Sequence, residues 1–169
     1  LVRKSRVRTI PGTLFGTNLE WIWNGDLLWN GTSVDPRYAA LIQKATPTIF
    51  RFPGGLFADY YNWQNGVGPE SSRPGALSLP GGAFSANTFG TDEAQAVAKD
   101  FNGQLLITVN AGTGTAQMAA DWVRYVNSGS HGPRVEYWEI GNELYIPAAH
   151  IGSIGIASMT ATQYVSTFI

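Results

Sequence analysis

Apolar residues in this chain fall into short strand-like runs that alternate with stretches of helical period. Leu14, Phe15 and Leu19, after Pro11-Gly12, mark a first strand from Leu14 to Glu20 that ends near Asn18 and Glu20. Asp35-Pro36 then opens a helix through about Lys44, with Pro36 at the first helical position, where a missing N–H is harmless. Thr48 to Phe52 reads as a second strand, stopped by Pro53-Gly54-Gly55. A long loop rich in Gly, Pro, Ser and Asn runs from Leu56 to Gly90, and loops of that length in compact domains are usually functional. Thr91-Asp92-Glu93 reads as a cap with acidic first-turn residues, followed by Ala94, Val97, Ala98 and Phe101 at helical spacing. Gln104 to Asn110 is the clearest buried strand, with Leu105, Leu106, Ile107 and Val109 in near-continuous order. Ala111 to Thr115 turns the chain into a helix through about Val126, and Val135 to Ile140 is a further apolar and aromatic strand. Thr160-Ala161-Thr162-Gln163 forms a capping box for a last helix containing Tyr164, Val165 and Phe168.

The order β-α-β-α-β-α-β-α implies an α/β fold with a parallel sheet. A doubly wound sheet would carry a glycine fingerprint after its first strand, and Gly12-Thr13-Leu14-Phe15-Gly16 does not supply one. A (β/α)8 TIM-type barrel places its site at the C-terminal ends of several strands. Here Glu20, the Arg51 to Gly55 turn, Asn110 and Asn142-Glu143 all fall at such ends. The barrel is the better fit. A complete barrel takes about 250 residues. The 169 residues here are expected to supply only about the first four βα units, as one domain over residues 1–169 with no second domain.

Composition narrows the chemistry. A hydrophobic content of 44% suits a globular domain with a sizeable core. The net charge of -1 argues against nucleic acid or an anionic membrane as partner. The basic cluster Arg3, Lys4, Arg6 and Arg8 reads as a solvated terminal strand. With no Cys and only His131 and His150, no metal site is expected. No apolar stretch is long enough to span a bilayer, nothing resembles a signal peptide, and Leu1 in place of an initiator Met suggests processing or a fragment. The lack of Cys and the few Lys are compatible with secretion without demanding it. Six Trp and a 12% aromatic content lie largely in Gly/Asn-rich segments. Such rings either pack on the C–H faces of carbohydrate or fill the core beneath long loops. Asn30-Gly31-Thr32 is a glycosylation sequon, meaningful only for a secreted eukaryotic protein.

The most informative stretch is Tyr137-Trp138-Glu139-Ile140-Gly141-Asn142-Glu143, a strand delivering an amide and a carboxyl group side by side at its C-terminal tip. Gly141 lets the backbone turn so that Asn142 and Glu143 face a ligand. Glu143 there has an acid/base role, or else caps the next segment or pairs with an Arg. Glu139 shares strand parity with Glu143 and points into the barrel, where a carboxylate requires a partner, and Arg51 is the best candidate. That pair would hold the Gly54-Gly55 turn in register with the fourth strand. Asp59, near Tyr60, Tyr61 and Trp63, either binds a sugar hydroxyl or is a solvated loop acid. Asp92, Glu93, Asp100 and Asp121 read as surface charges. The loop Ala111 to Thr115 lacks a P-loop lysine and its spacing, so phosphate binding is discounted.

Four segments together resemble family 51 glycoside hydrolases, the α-L-arabinofuranosidases: Arg51-Phe52-Pro53-Gly54-Gly55, Tyr61-Asn62-Trp63-Gln64-Asn65-Gly66-Val67-Gly68-Pro69, Val109 to Gly114, and Trp138 to Glu143. The match runs in order over most of the chain, and the Tyr-Asn-Trp…Gly-Val-Gly-Pro segment is its more specific part. The resemblance implies a retaining hydrolase with a (β/α)8 catalytic barrel, acting on terminal arabinofuranosyl linkages of plant-type polysaccharides such as arabinan. It makes Glu143 the general acid/base. Asn142 and Glu20 become ligands of sugar hydroxyls, with Trp63 and Asn110 as further substrate-binding candidates. Arg51, Gly54, Gly55 and Glu139 support the site. The sequence departs from the family at Leu56, where a polar or small residue is usual, and at Trp21, where a His is usual; both would alter the sugar pocket.

Retaining hydrolysis needs two carboxyls about 5 to 5.5 Å apart, one to donate a proton and one to attack. In this clan the second comes from the seventh strand, so the nucleophile is expected outside this chain, and Glu20 is expected to bind hydroxyls rather than attack. Two alternatives remain: a noncatalytic carbohydrate-binding or structural half-barrel, or a retaining glycosidase of another family in the clan. No cofactor is called for, because proton transfer and carboxylate attack suffice. Open strand edges and an uncovered apolar interior would favour a complementary C-terminal half-barrel chain or self-association.

Overall fold

The computed structural model describes residues 9–129, 132–146 and 156–168. The basic N-terminal cluster, His131 and His150 lie outside the described residues. Among the described residues, the strands and the helices of eight residues or more follow in chain order: β1 (Gly16–Asn18), α1 (Pro36–Ala45), β2 (Ile49–Phe52), β3 (Ala76–Leu77), β4 (Phe84–Ser85), α2 (Thr91–Asp100), β5 (Gln104–Val109), α3 (Ala116–Ser128), β6 (Tyr137–Ile140) and α4 (Ala161–Phe168). The caps follow from local chemistry. The Asp35 side chain accepts from the Arg37 N–H, and the Thr115 side chain accepts from the Met118 N–H. Thr160 and Gln163 form the reciprocal capping box at α4. At α2 the cap is Gly90 rather than Thr91, and its N–H donates to the Glu93 carboxylate at 2.8 Å.

The main sheet has the order β1-β2-β5-β6 and every pairing is parallel. Each strand lies beside its predecessor in the sheet, with no reversal of order. That is the winding of a barrel wall and excludes the doubly wound alternative. The first strand is shorter than expected. Leu14 belongs to a 3-10 turn, and Leu14 and Phe15 are exposed. Beyond β1 the pairing continues through Leu19 N–H to the Arg51 carbonyl and Trp21 N–H to the Pro53 carbonyl, which carries Glu20 to the level of the β2 turn.

Alternation along the strands separates two faces. Phe50, Phe52, Leu105, Ile107 and Val109 face the helices and are buried. Against them lies an aromatic core in which Phe52 meets Tyr61, Phe89 and Trp122, Tyr61 also meets Trp122, and Trp21 packs on Tyr61. Ile49, Arg51, Leu106, Thr108, Tyr137 and Glu139 take the other positions, and Ile49, Leu106 and Tyr137 are only partly covered. On the interior face of β5 Thr108 is buried while Leu106 is only partly covered, because a barrel interior is closed by the strands opposite.

The segment between Leu56 and Gly90 is folded rather than loose. Three 3-10 turns (Leu56–Tyr60, Trp63–Gly66, Glu70–Ser72) lead into the β3-β4 hairpin. Arg73 staples the segment to α2 through a 2.7 Å ion pair with Glu93, and its guanidinium also donates to the Gly68 and Asn87 carbonyls. Glu93 is thus not the surface charge its helical position suggested. Its side chain is 14% exposed and that of Arg73 is 3% exposed. Asp92 likewise accepts from the Tyr125 hydroxyl.

Candidate active site

The polar residues at the C-terminal ends of the main sheet form one connected network. Arg51, on β2, donates from Nε to Glu139 Oε2 at 2.6 Å and from Nη2 to Asn142 Oδ1 at 2.9 Å. Thr108, on β5, donates to the same Glu139 oxygen at 2.7 Å. A planar guanidinium can hold a carboxylate and an amide oxygen at once, which fixes the Asn142 side chain with its NH2 group directed away from the cation. Gly55 leaves room beside this junction: a Cβ there would lie 3.6 Å from Asn142 Oδ1 and 3.9 Å from Arg51 Nη1. Gly54, at φ 119°, adopts a conformation that side chains rarely take and packs on the Glu20 side chain, 3.0 Å from its Cγ for an added Cβ.

Asp59 is the residue whose importance sequence reasoning understated. It is neither a solvated acid nor placed to face a sugar: it is 1% exposed, beneath the turn that follows β6. Its carboxylate accepts from the Asn142 N–H at 3.0 Å, and the Ala111 N–H lies near enough to favour its charged form. Its carbonyl accepts from the Thr113 N–H and hydroxyl. Asp59 thereby ties together the segments after β2, β5 and β6. Burial pushes its carboxyl up to about 6, against the two backbone N–H groups and Arg51, which favour the charged form. A lone acid inside an aromatic run was the available signal. For Thr108 it was a hydroxyl at an alternate position of an apolar strand.

Gly141 at φ 68° and Glu143 at φ 50° turn the chain sharply at the tip of β6. A Cβ on Gly141 would meet Leu144 at 2.7 Å and Ala111 at 2.9 Å, so the turn is closely backed. Glu143 is exposed and, with Glu139, Tyr145, Met159 and Tyr164, lines a cleft of about 550 Å³. Glu20 is half-buried. Burial and the neighbouring Asp26 charge raise its carboxyl above the ordinary range, and Arg51 opposes them. Glu20, Asn142 and Glu143 thus stand at the same end of the sheet, around the Arg51 and Gly54-Gly55 turn.

Two further candidate ligands are committed to the protein itself. Trp63 is 6% exposed, stacked on Trp122 at 5.9 Å with 8° between ring planes, and its indole N–H donates to the Met118 carbonyl. It is core, because the 3-10 turns fold this part of the long segment back under α3. Asn110 has its amide committed to the protein. Its oxygen accepts from the N–H groups of Gly112, Thr113 and Gly114, and its NH2 donates to the Tyr61 carbonyl and Thr113 hydroxyl. It shapes the loop and has no group left for a sugar. Trp21 is also buried, so its departure from the family pattern acts through the aromatic core rather than by facing a ligand.

Residues 41–153 match the family described as the alpha-L-arabinofuranosidase 1 domain. Probable alpha-L-arabinofuranosidase C of Aspergillus fumigatus is 32% identical over 130 residues, 69% of this chain and 25% of that protein. Intracellular exo-alpha-(1->5)-L-arabinofuranosidase 1 of Bacillus subtilis is 37% identical over 99 residues, 59% of this chain and 19% of that protein. The GH51 arabinofuranosidase from Xanthomonas axonopodis pv. citri superposes with a TM-score of 0.78 at 26% identity, over 93% of this chain and 35% of that one. The chain spans about a quarter of the length of the curated relatives it matches. Its four parallel βα units, wound in chain order, are part of a (β/α)8 barrel. By sequence and by fold, then, the chain belongs to the α-L-arabinofuranosidase 1 domain family, within the family 51 glycoside hydrolases.

Proposed function

We propose that residues 1–169 are the N-terminal half of the catalytic barrel of a retaining α-L-arabinofuranosidase, and that Glu143 is its general acid/base. The observation that carries this reading is the Arg51 bridge. One side chain grips Glu139 and Asn142 together, and so holds the strand tip on which Glu143 is presented to an open cleft. Glu143 would protonate the departing glycosidic oxygen and then deprotonate the attacking water. Asn142 and Glu20 would take hydroxyls of the arabinofuranosyl ring, the amide offering its NH2 and the carboxyl both accepting and, when protonated, donating. The nucleophile comes from outside this chain.

The concave face supports the same division. β1 and β6 each pair on one side only among the described strands, and Ile49, Leu106 and Tyr137 wait there half-covered. A complementary C-terminal half of the barrel would cover them and bring the second carboxyl opposite Glu143. The test is hydrolysis of aryl α-L-arabinofuranosides by the full-length protein, against a panel of other aryl glycosides, with the anomeric configuration of the first product read by NMR. Arabinose released with retention supports the proposal. Cleavage of a different sugar moves the protein to another family specificity, and sugar binding without turnover leaves a noncatalytic half-barrel.

A further inference from the structure

Beside the Glu20 carboxyl the backbone does something unusual for L-residues. Trp23, Asn24, Gly25, Asp26 and Leu27 have φ of 52°, 55°, 63°, 58° and 69°, a full left-handed turn. Each non-glycine residue held so is strained, and strain of this kind persists only where the surroundings over-determine it. They do so here. Gly25 is pressed on the Phe89 ring, where an added Cβ would lie 2.8 Å from the nearest carbon. Asn24 bonds the Thr88 hydroxyl, Asp26 accepts from the Glu20 N–H at 3.1 Å, and Leu27 N–H closes on the Trp23 carbonyl at 2.8 Å. The turn is therefore fixed, and what it fixes outward is an indole. Trp23 is 58% exposed, with Phe57 meeting it edge-on at 6.0 Å and 89°. Phe57 itself follows the Gly54-Gly55 turn that packs on Glu20 and Asn142.

We propose that Trp23, backed by Phe57, is a stacking platform for a second sugar residue of the substrate, adjoining the one held at Glu20. The inference rests on the function proposed above and extends it to substrate length. An indole face held by its neighbours offers a sugar ring apolar area without loss of side-chain freedom on binding. Its position three residues after Glu20, on the rim of the same sheet end, suits a neighbouring residue of a chain rather than the ring undergoing cleavage. Both binding partners are neutral, so the contribution is one of contact and is insensitive to salt.

The experiment compares the full-length protein with Trp23→Ala, Trp23→Phe and Leu27→Ala on two substrates: α-1,5-linked arabinotriose, and methyl α-L-arabinofuranoside, which has no second ring. Trp23→Ala is expected to lower kcat/KM on arabinotriose about tenfold, through KM, while leaving the methyl glycoside unchanged. Trp23→Phe should retain most of the difference. Leu27→Ala, on the same strained turn, should alter neither. An equal loss on both substrates would make Trp23 merely structural, and no loss on either would remove the platform; both overturn the proposal. Should the parent protein cleave neither substrate, the functional reading fails, and calorimetric titration with arabinotriose against L-arabinose decides the platform separately. A preference for arabinotriose that Trp23→Ala abolishes sustains it, and the absence of that preference overturns it.

Discussion

Replacing Asp59 with Asn isolates the electrostatic consequence of burying a carboxyl beneath the β6 turn. The folded state holds this group at about 6 against an ordinary value of 3.8. The difference of about two units corresponds to roughly 3 kcal/mol at about 1.4 kcal/mol per unit. Because the folded value lies above the unfolded one, the sign is fixed. Asp59 favours the fold most below about pH 4, and that contribution is lost as pH rises through 6, where the buried group must ionise. Asparagine keeps an oxygen to accept from the Asn142 N–H and carries no charge at any pH. Urea denaturation of the full-length protein and of Asp59→Asn at pH 4.5 and 7.5 reads most of this change. The parent should gain about 2 of those roughly 3 kcal/mol relative to the variant on going from the higher to the lower pH, since at pH 4.5 the unfolded carboxyl is already largely ionised. Parallel pH profiles for the two proteins would refute the argument and show that the carboxyl is solvated or paired when charged.

Three other substitutions probe separate parts of the structure. Arg51→Lys keeps the charge but not the fork that holds Glu139 and Asn142 together. It should lower kcat at least tenfold with little change in melting temperature, measured on the full-length protein by initial rates and calorimetry. Trp63→Ala removes a buried ring stacked on Trp122 and should cost about 3 to 5 kcal/mol of stability in chemical denaturation, with KM for sugar substrates unchanged in the fraction that remains folded. Arg73→Ala leaves Glu93 buried without its cation and should cost about 3 to 5 kcal/mol, with limited proteolysis moving into the Leu56 to Gly90 segment.

What was legible in the sequence is what is decided locally or by strand parity. Asp35-Pro36, Thr115 and Thr160 announce their helices because a cap is completed within three residues. Arg51 and Glu139 were readable as a pair because each sits at an inward position of a buried strand, and an inward charge needs a counterion. The failures are long-range. Trp63 and Exposed Trp23 carry the same aromatic signal in similar Gly/Asn-rich surroundings. Only the packing of 3-10 turns under α3 makes one core, and only a left-handed turn pinned by Phe89 and Thr88 makes the other surface. Glu93 reads as a first-turn surface acid because its partner, Arg73, comes from a loop with no periodicity. Asp59 reads as a loop acid because the N–H groups that bury it belong to Ala111 and Asn142, far along the chain.

The central claim is that Glu143 donates a proton to the leaving group. Its most direct test is Glu143→Ala in the full-length protein, assayed on α-L-arabinofuranosides whose leaving groups differ in acidity. Loss of a general acid is expected to lower kcat/KM, which reports cleavage of the glycosidic bond, about 10² to 10⁴-fold for alkyl and sugar leaving groups, far less for 2,4-dinitrophenol, which departs without protonation, with folding unchanged by circular dichroism. A uniform loss of kcat/KM across all leaving groups, or no loss for any, would contradict the assignment of Glu143 as acid/base.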